Sequence, residues 1–254
     1  MNRYFGILVA VVGLSVVGSV PESARGDDKD PMPILDKAIK ALGGEEKLAK
    51  GTTFLVKSKG NVTINGNEAP VKLATTTQGL DRQQTEFEVE FNGDSLKGVM
   101  VLNGKKGWRK FGENIMDLDD EGLATARQGL YLMVVPTMIL PLKGKDFKLE
   151  LVPEEKVSGK PADVIKVTGP DGKLFTLYID KETSLPTKLI AKVQGMQGEE
   201  FVQETTYSNY KDFDGIKRAT KTESLRDGTL FSKQEVTEFK VIDKPAADLF
   251  DEPK

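Results

Sequence analysis

Three carboxylates spaced two apart, Glu86, Glu88 and Glu90, are the nearest thing in this 254-residue chain to a catalytic pair. On a strand they project from one face with neighbours roughly 6.6 Å apart, a separation that an acid and a base could use on a glycosidic bond. Phe87, Val89 and Phe91 fill the alternate positions, so the same spacing describes a strand with one solvated face. Nothing beside the three glutamates separates their acidities. Asp117-Leu-Asp119-Asp-Glu121-Gly122 has the acid spacing and glycine of a calcium loop, but Gln128 stands where the bidentate Glu belongs, and a strand precedes it where a helix should. Carboxylates capping the helix that follows explain this cluster better. No Ser-x-x-Lys opens a helix and no glycine-rich phosphate loop follows a strand. The chain has no cysteine and no histidine, which removes thiol nucleophiles, disulfides, thiolate and imidazole metal ligands and the commonest general base. With 36 basic against 39 acidic residues, nucleic acid is not the expected partner. The sequence therefore predicts no enzyme, no metal and no cofactor; a hydrolase working through Glu88 and Asp119 is the least supported reading.

The elements around these residues alternate in a simple way. Asp30 reads as an N-cap with Pro31 at the first helical position, and Ile34, Leu35, Ala38, Ile39 and Leu42 recur at helical spacing over 31–42. Gly43-Gly44 stops that helix, and Glu45 to Lys50 makes one or two more turns. Strands follow at 53–64, 70–77, 84–91 and 95–102, then one carrying Trp108 and Phe111, joined by Asn-Gly turns at 65–66, 92–93 and 103–104. A second helical segment spans 119–140, capped by Asp119 or Asp120, with Leu123, Ala126, Leu130 and Val134 on one face. Its end, LYLMVVPTMILPL, is almost wholly apolar; Pro136 should kink or end the helix, and Pro141 should end whatever remains. Seven more strands run from Phe147 to Ile242. Eleven or twelve strands with two helical segments and no βαβ alternation predict an antiparallel α+β fold.

The first residues read as an address. Arg3 precedes a sixteen-residue apolar stretch, Phe5–Val20; Pro21 breaks it, and Ala24-Arg25-Gly26 offers small residues for cleavage. The expectation is a signal peptide over 1–26 and one domain over 27–254, periplasmic or secreted. The mature chain would carry 34 basic and 38 acidic residues, a net −4. No cysteine follows the apolar stretch, so it is not expected to be a lipoprotein.

At 174–188, LFTLYIDKETSLPTK, a strand ending Tyr-Ile-Asp, a polar turn and a strand opening Leu-Pro-Thr-Lys resemble a hairpin of bacterial lipoprotein-carrier and outer-membrane lipoprotein-sorting proteins (LolA/LolB-like). YSNYKDFDGIKRATKTES resembles the family's next hairpin, with Ala219 where a proline is expected, and the Leu-Gly-Gly helix ending followed directly by a strand is also similar. The resemblance implies a strongly curved, incomplete β-barrel of about eleven strands, its concave face covered by helices, with an apolar cavity between them that receives acyl chains. No motif fixes which arginine would match the one by which the family binds lipid; Arg82 and Arg109, in the strand-rich first half, are the positions considered.

The residues alone lead to a similar place. An open sheet must cover its apolar face, and only the 31–50 and 119–140 segments are available to do so. Met133 and Met138 in the second segment have flexible side chains that suit an adaptable apolar site. Phe87, Val89, Phe91, Trp108, Leu130, Met133, Val134 and Met138 are the expected ligand-lining residues, for an acyl chain, a lipid or a lipidated protein, with an envelope receptor as a further partner and the protein a monomer. The competing readings are ordinary core packing for each of these residues, Trp108 included, and a non-catalytic structural or interaction module with a packed interior.

Overall fold

The computed structural model describes residues 30–91, 93–195 and 198–254; the expected signal peptide and Asn92 lie outside them. Helix α1, Met32–Leu42, starts where Pro31 adopts helical φ and ψ, and the Asp30 carboxylate accepts from the Met32 amide at 2.9 Å. It turns Leu35, Ala38, Ile39 and Leu42 inward. Gly43 ends it at φ 135°, and a Cβ there would lie 2.2 Å from the Gly215 carbonyl oxygen, so glycine is needed for both conformation and close approach. Helix α2, Glu45–Lys50, adds one buried leucine, Leu48.

The strands are β1 Thr53–Ile64, β2 Asn67–Gln78, β3 Arg82–Phe91, β4 Asp94–Asn103, β5 Lys106–Phe111 and β6 Asn114–Asp117, then, beyond helix α3 (Asp120–Met138), β7 Lys148–Val157, β8 Lys160–Thr168, β9 Leu174–Asp180, β10 Pro186–Gln194, β11 Glu200–Phe213, β12 Ile216–Arg226 and β13 Thr229–Val241. All pair antiparallel in one open sheet, ordered β6-β5-β4-β3-β2-β1-β13-β12-β11-β10-β9-β8-β7. Each half is a meander, and the β1–β13 ladder joins the two ends of the chain. Thirteen strands replace the eleven or twelve expected. The unread one is β6, four exposed residues after a Gly112-Glu113 turn, too short to show alternation.

One helix shows that the sheet curls. Adjacent residues of α3 reach strands seven places apart: the Arg127 guanidinium donates to the Gly104 carbonyl just beyond β4 (2.9 Å), and the Gln128 amide donates to the Lys192 carbonyl in β10 (2.7 Å). Laid flat, seven strand spacings span roughly 34 Å, whereas neighbouring Cα atoms of a helix are about 3.8 Å apart.

Asp119 is the N-cap of α3, its carboxylate accepting from the Gly122 amide at 2.8 Å. Pro136 does not end the helix, which continues to Met138. Pro136 withholds an amide from the helix; the Thr137 hydroxyl lies within hydrogen-bonding distance of the Met133 and Val134 carbonyls. Pro141 likewise sits inside a further 3₁₀ turn, Leu140–Lys143. Between them Ile139, fully buried, holds φ at +56°, a strained conformation for a β-branched residue. The main core joins Leu35, Ile39 and Leu42 of α1, Leu130, Val134 and Met138 of α3 and Phe54, Leu102, Ile165, Leu177, Leu189 and Phe239 of the sheet.

Candidate functional site

The pairing register sorts the expected residues by face. Phe54, in the main core, pairs with Thr77; Thr77 pairs with Gln83, Gln83 with Leu102 and Leu102 with Gly107, one row on the helix side of the sheet. Alternation from Gln83 places Phe87, Val89 and Phe91 on that side as well. The same count puts Trp108 on the other side. It pairs with Val101 and is buried with Val101 and Phe250, with Leu249 packed against them. Trp108 therefore does not share a space with Phe87, Val89 and Phe91; it anchors the C-terminal tail, the packing role held open for it. Glu86, Glu88 and Glu90 face outward too. Glu88 accepts from Ser95 and lies 3.5 Å from Lys72 and 3.4 Å from Lys97. The Ser95 hydroxyl, together with the two lysines, holds its carboxyl below the usual range, the opposite of what a general acid needs.

The helix-side residues form two neighbouring groups. Under α3, Val134 and Met138 line an apolar pocket of about 200 Å³ with Leu48, Leu80, Leu140 and Pro141, edged by Thr52 and Gly79. Leu130 is buried beside it, and the Met133 sulfur accepts from the Gln83 amide at 3.8 Å. Four residues further along β3, roughly 13 Å at the strand rise, begins the second group. Phe87, Val89 and Phe91 here are partly exposed and, with Leu73, Met100 and Phe111, join none of the buried clusters. Phe87 and Phe111 meet edge to face at 5.6 Å. A larger hollow of about 440 Å³ is an open trough beside α1, lined by Lys37, Lys40, Lys217, Thr183, Ser184 and Asp212.

The sequence reading missed the most deeply buried cation among the described residues. Arg218 of β12 is 4% exposed, and its guanidinium lies 4.6 Å from the Phe54 ring centroid and 4.5 Å from that of Phe239. Its Nε and Nη1 are buried without an acceptor, and among the described residues it makes no ion pair. Burial lowers its pKa to about 10, partly offset by nearby Tyr210, so it remains a cation at neutral pH. The available signal was its spacing of two from Ile216, a core residue on the same strand. Of the two arginines considered earlier, Arg82 is exposed and donates to Gln78 at 3.1 Å; Arg109 is half-buried, with Nε lacking an acceptor. Tyr210 donates to the Pro186 carbonyl at 2.7 Å. Tyr207, partly buried, packs against the main core, and burial pushes its phenol well above its ordinary range.

Solved structures sharing this architecture include the LolA superfamily protein NE2245 from Nitrosomonas europaea (TM-score 0.57, 14% identity, 86% of this chain and 96% of that one). The fold is LolA-like. A DUF1329 family protein from Desulfovibrio piger matches at TM-score 0.55 and 13% identity, over 87% of this chain and 98% of that one. A putative outer membrane lipoprotein-sorting protein domain from Vibrio parahaemolyticus matches at 0.53 and 10%, over 87% and 97%. No family model and no curated protein sequence matches the chain. At these identities the LolA-like likeness extends to the fold. It agrees with the resemblance read from the Asp180 and Asp214-Gly215 hairpins.

Proposed function

We propose that this chain is an exported, non-catalytic binding protein that holds the alkyl part of a lipid or lipidated protein between the concave side of its sheet and the helices covering it. One observation carries the reading: an apolar pocket under α3 lies close to a strip of partly exposed apolar side chains, Phe87, Val89 and Phe91 among them, on the same side of the sheet. Lipoprotein sorting, named for the Vibrio parahaemolyticus relative, is the process such a carrier would serve. Residues 1–26 would direct export and be removed. Binding would draw on apolar burial, about 0.8 kcal/mol per methylene. A pocket of about 200 Å³ is smaller than the roughly 300 Å³ at which ligand pockets usually begin, so loading requires α3 to move outward toward the strip. Native mass spectrometry of protein gently extracted from its own host tests this: bound lipid is expected, and protein that neither carries nor takes up lipid overturns it.

The same small volume favours a second reading, an interaction module with a packed interior. There the pocket stays closed, and the partly exposed strip, not the interior, meets the partner.

A further inference from the structure

Arg218 is a finished binding group without a partner. Two of its donors are sealed from water with no acceptor, an arrangement that costs stability unless something supplies the missing bonds. The guanidinium lies against the rings of Phe54 and Phe239, which attract its charge. The β12–β13 ladder runs from Arg226 only as far as Lys221, so Ile216–Thr220 pairs with β11 alone and β12 parts from β13 beside Arg218. Across the ladder Arg218 faces Lys211, not an acid. On β1 to β3, on β5, on β11 up to Tyr207, and on the paired stretches of β12 and β13, no helix-side position is Asp or Glu; on β4 the one acid is Asp94, paired with Phe91 at the far end of the strand. Phe54 links this group to the pocket, because Thr52, two residues before it, forms the pocket's edge. Thr77, directly across from Phe54, is fully buried with its hydroxyl unpartnered.

We propose that Arg218 receives the anionic headgroup, carboxylate or phosphate, of a single-chain amphiphile whose alkyl chain runs into the apolar space beneath α3. The proposal rests on the carrier reading and adds a charge requirement to it. A cation already desolvated and held against two rings gains a charge-assisted pair on binding, and a neutral headgroup would leave it unpaired. Arg218 lies in the second half of the chain, away from both arginines the sequence singled out.

The experiment measures affinities of the delipidated protein for palmitate, hexadecyl phosphate, hexadecanol and inorganic phosphate by native mass spectrometry and calorimetry. Palmitate and hexadecyl phosphate are expected to bind at least tenfold tighter than hexadecanol. Arg218→Gln should erase that preference while leaving hexadecanol unchanged, and Arg218→Lys should retain part of it. Arg218→Met, which removes the unpaired charge, should melt no lower than the wild type. Equal affinity of the wild type for charged and neutral chains overturns the proposal and leaves the carrier reading standing, and this arm needs no variant to fold. Inorganic phosphate binding as tightly as hexadecyl phosphate overturns the headgroup assignment in favour of a free anion. If none of the three chains binds, the carrier reading fails and takes the proposal with it.

Discussion

The ring of Phe87 lies over Gly98 on the adjacent strand, so closely that a Cβ at 98 would stand 2.4 Å from Phe87 Cζ and 2.8 Å from the Lys110 carbonyl oxygen. The missing side chain lets Phe87 lie across β4 toward Phe111. Gly98→Ala is expected to destabilise the protein by about 1–3 kcal/mol through overpacking, measured by urea denaturation. Removing the ring as well, in Gly98→Ala with Phe87→Ala, should recover part of that loss, and a cycle showing strict additivity would contradict the contact.

Trp108 on the outer face gives a spectroscopic expectation. Its emission should respond to the tail and ignore a ligand beneath α3. Phe250→Ala should red-shift the emission and cost about 3 kcal/mol, whereas palmitate should leave the spectrum unchanged. A ligand-induced shift would mean that binding reaches the outer face.

Asp180 caps the β9–β10 turn, accepting from the Glu182 amide (3.1 Å), the Thr183 amide (2.7 Å) and the Thr183 hydroxyl (2.8 Å). Desolvation alone would raise its pKa, but these bonds and Lys160 outweigh it and hold the carboxyl below its ordinary 3.8. A carboxyl depressed on folding contributes stability above its unfolded pKa and loses it as pH falls through the folded value. Asp180→Asn should therefore cost about 1–2 kcal/mol at pH 7. Thermal melts of the two proteins should converge as pH drops below 3.8. A gap that stays constant with pH would show that charge plays no part.

Met133 and Met138 separate the two functional readings. Met138 is 3% exposed, so Met138→Lys places an unpaired ammonium in the core and should cost about 3–5 kcal/mol. Met133 is only partly buried and touches Gln83 at the end of the pocket group nearest the strip. Met133→Lys should keep the fold, judged by circular dichroism, and lower palmitate retention. Unchanged retention would favour the interaction module.

Much of the sheet was legible because alternation and Asn-Gly turns are local signals. The bounds of β1 and the turn at Asn65-Gly66, both in positive φ, follow from them. The face of each strand was harder, since alternation fixes relative sides and only the pairing register says which side meets the helices. Trp108 was therefore grouped with residues of the opposite face. Arg218 was hidden for a related reason: a basic residue within Lys-Arg-Ala-Thr-Lys reads as solvated, and the rings that bury it come from β1 and β13, about 164 and 21 residues away in sequence. Pro136 left two outcomes open, a kinked helix or an ended one, because nothing in the local sequence shows whether a helix will continue past a lost amide; the helix continues to Met138.

An unclosed sheet has two outer strands whose backbone groups can template another copy of the chain, and ribbons of stacked molecules are the hazard. Here both ends are poor templates. β6 offers four residues, although Ile115 and Met116 are exposed on it. β7 is interrupted by Pro153 and a break in register between Val152 and Glu155, followed by the charged run Glu154, Glu155 and Lys156. The chain can keep its sheet open without recruiting its neighbours to close it.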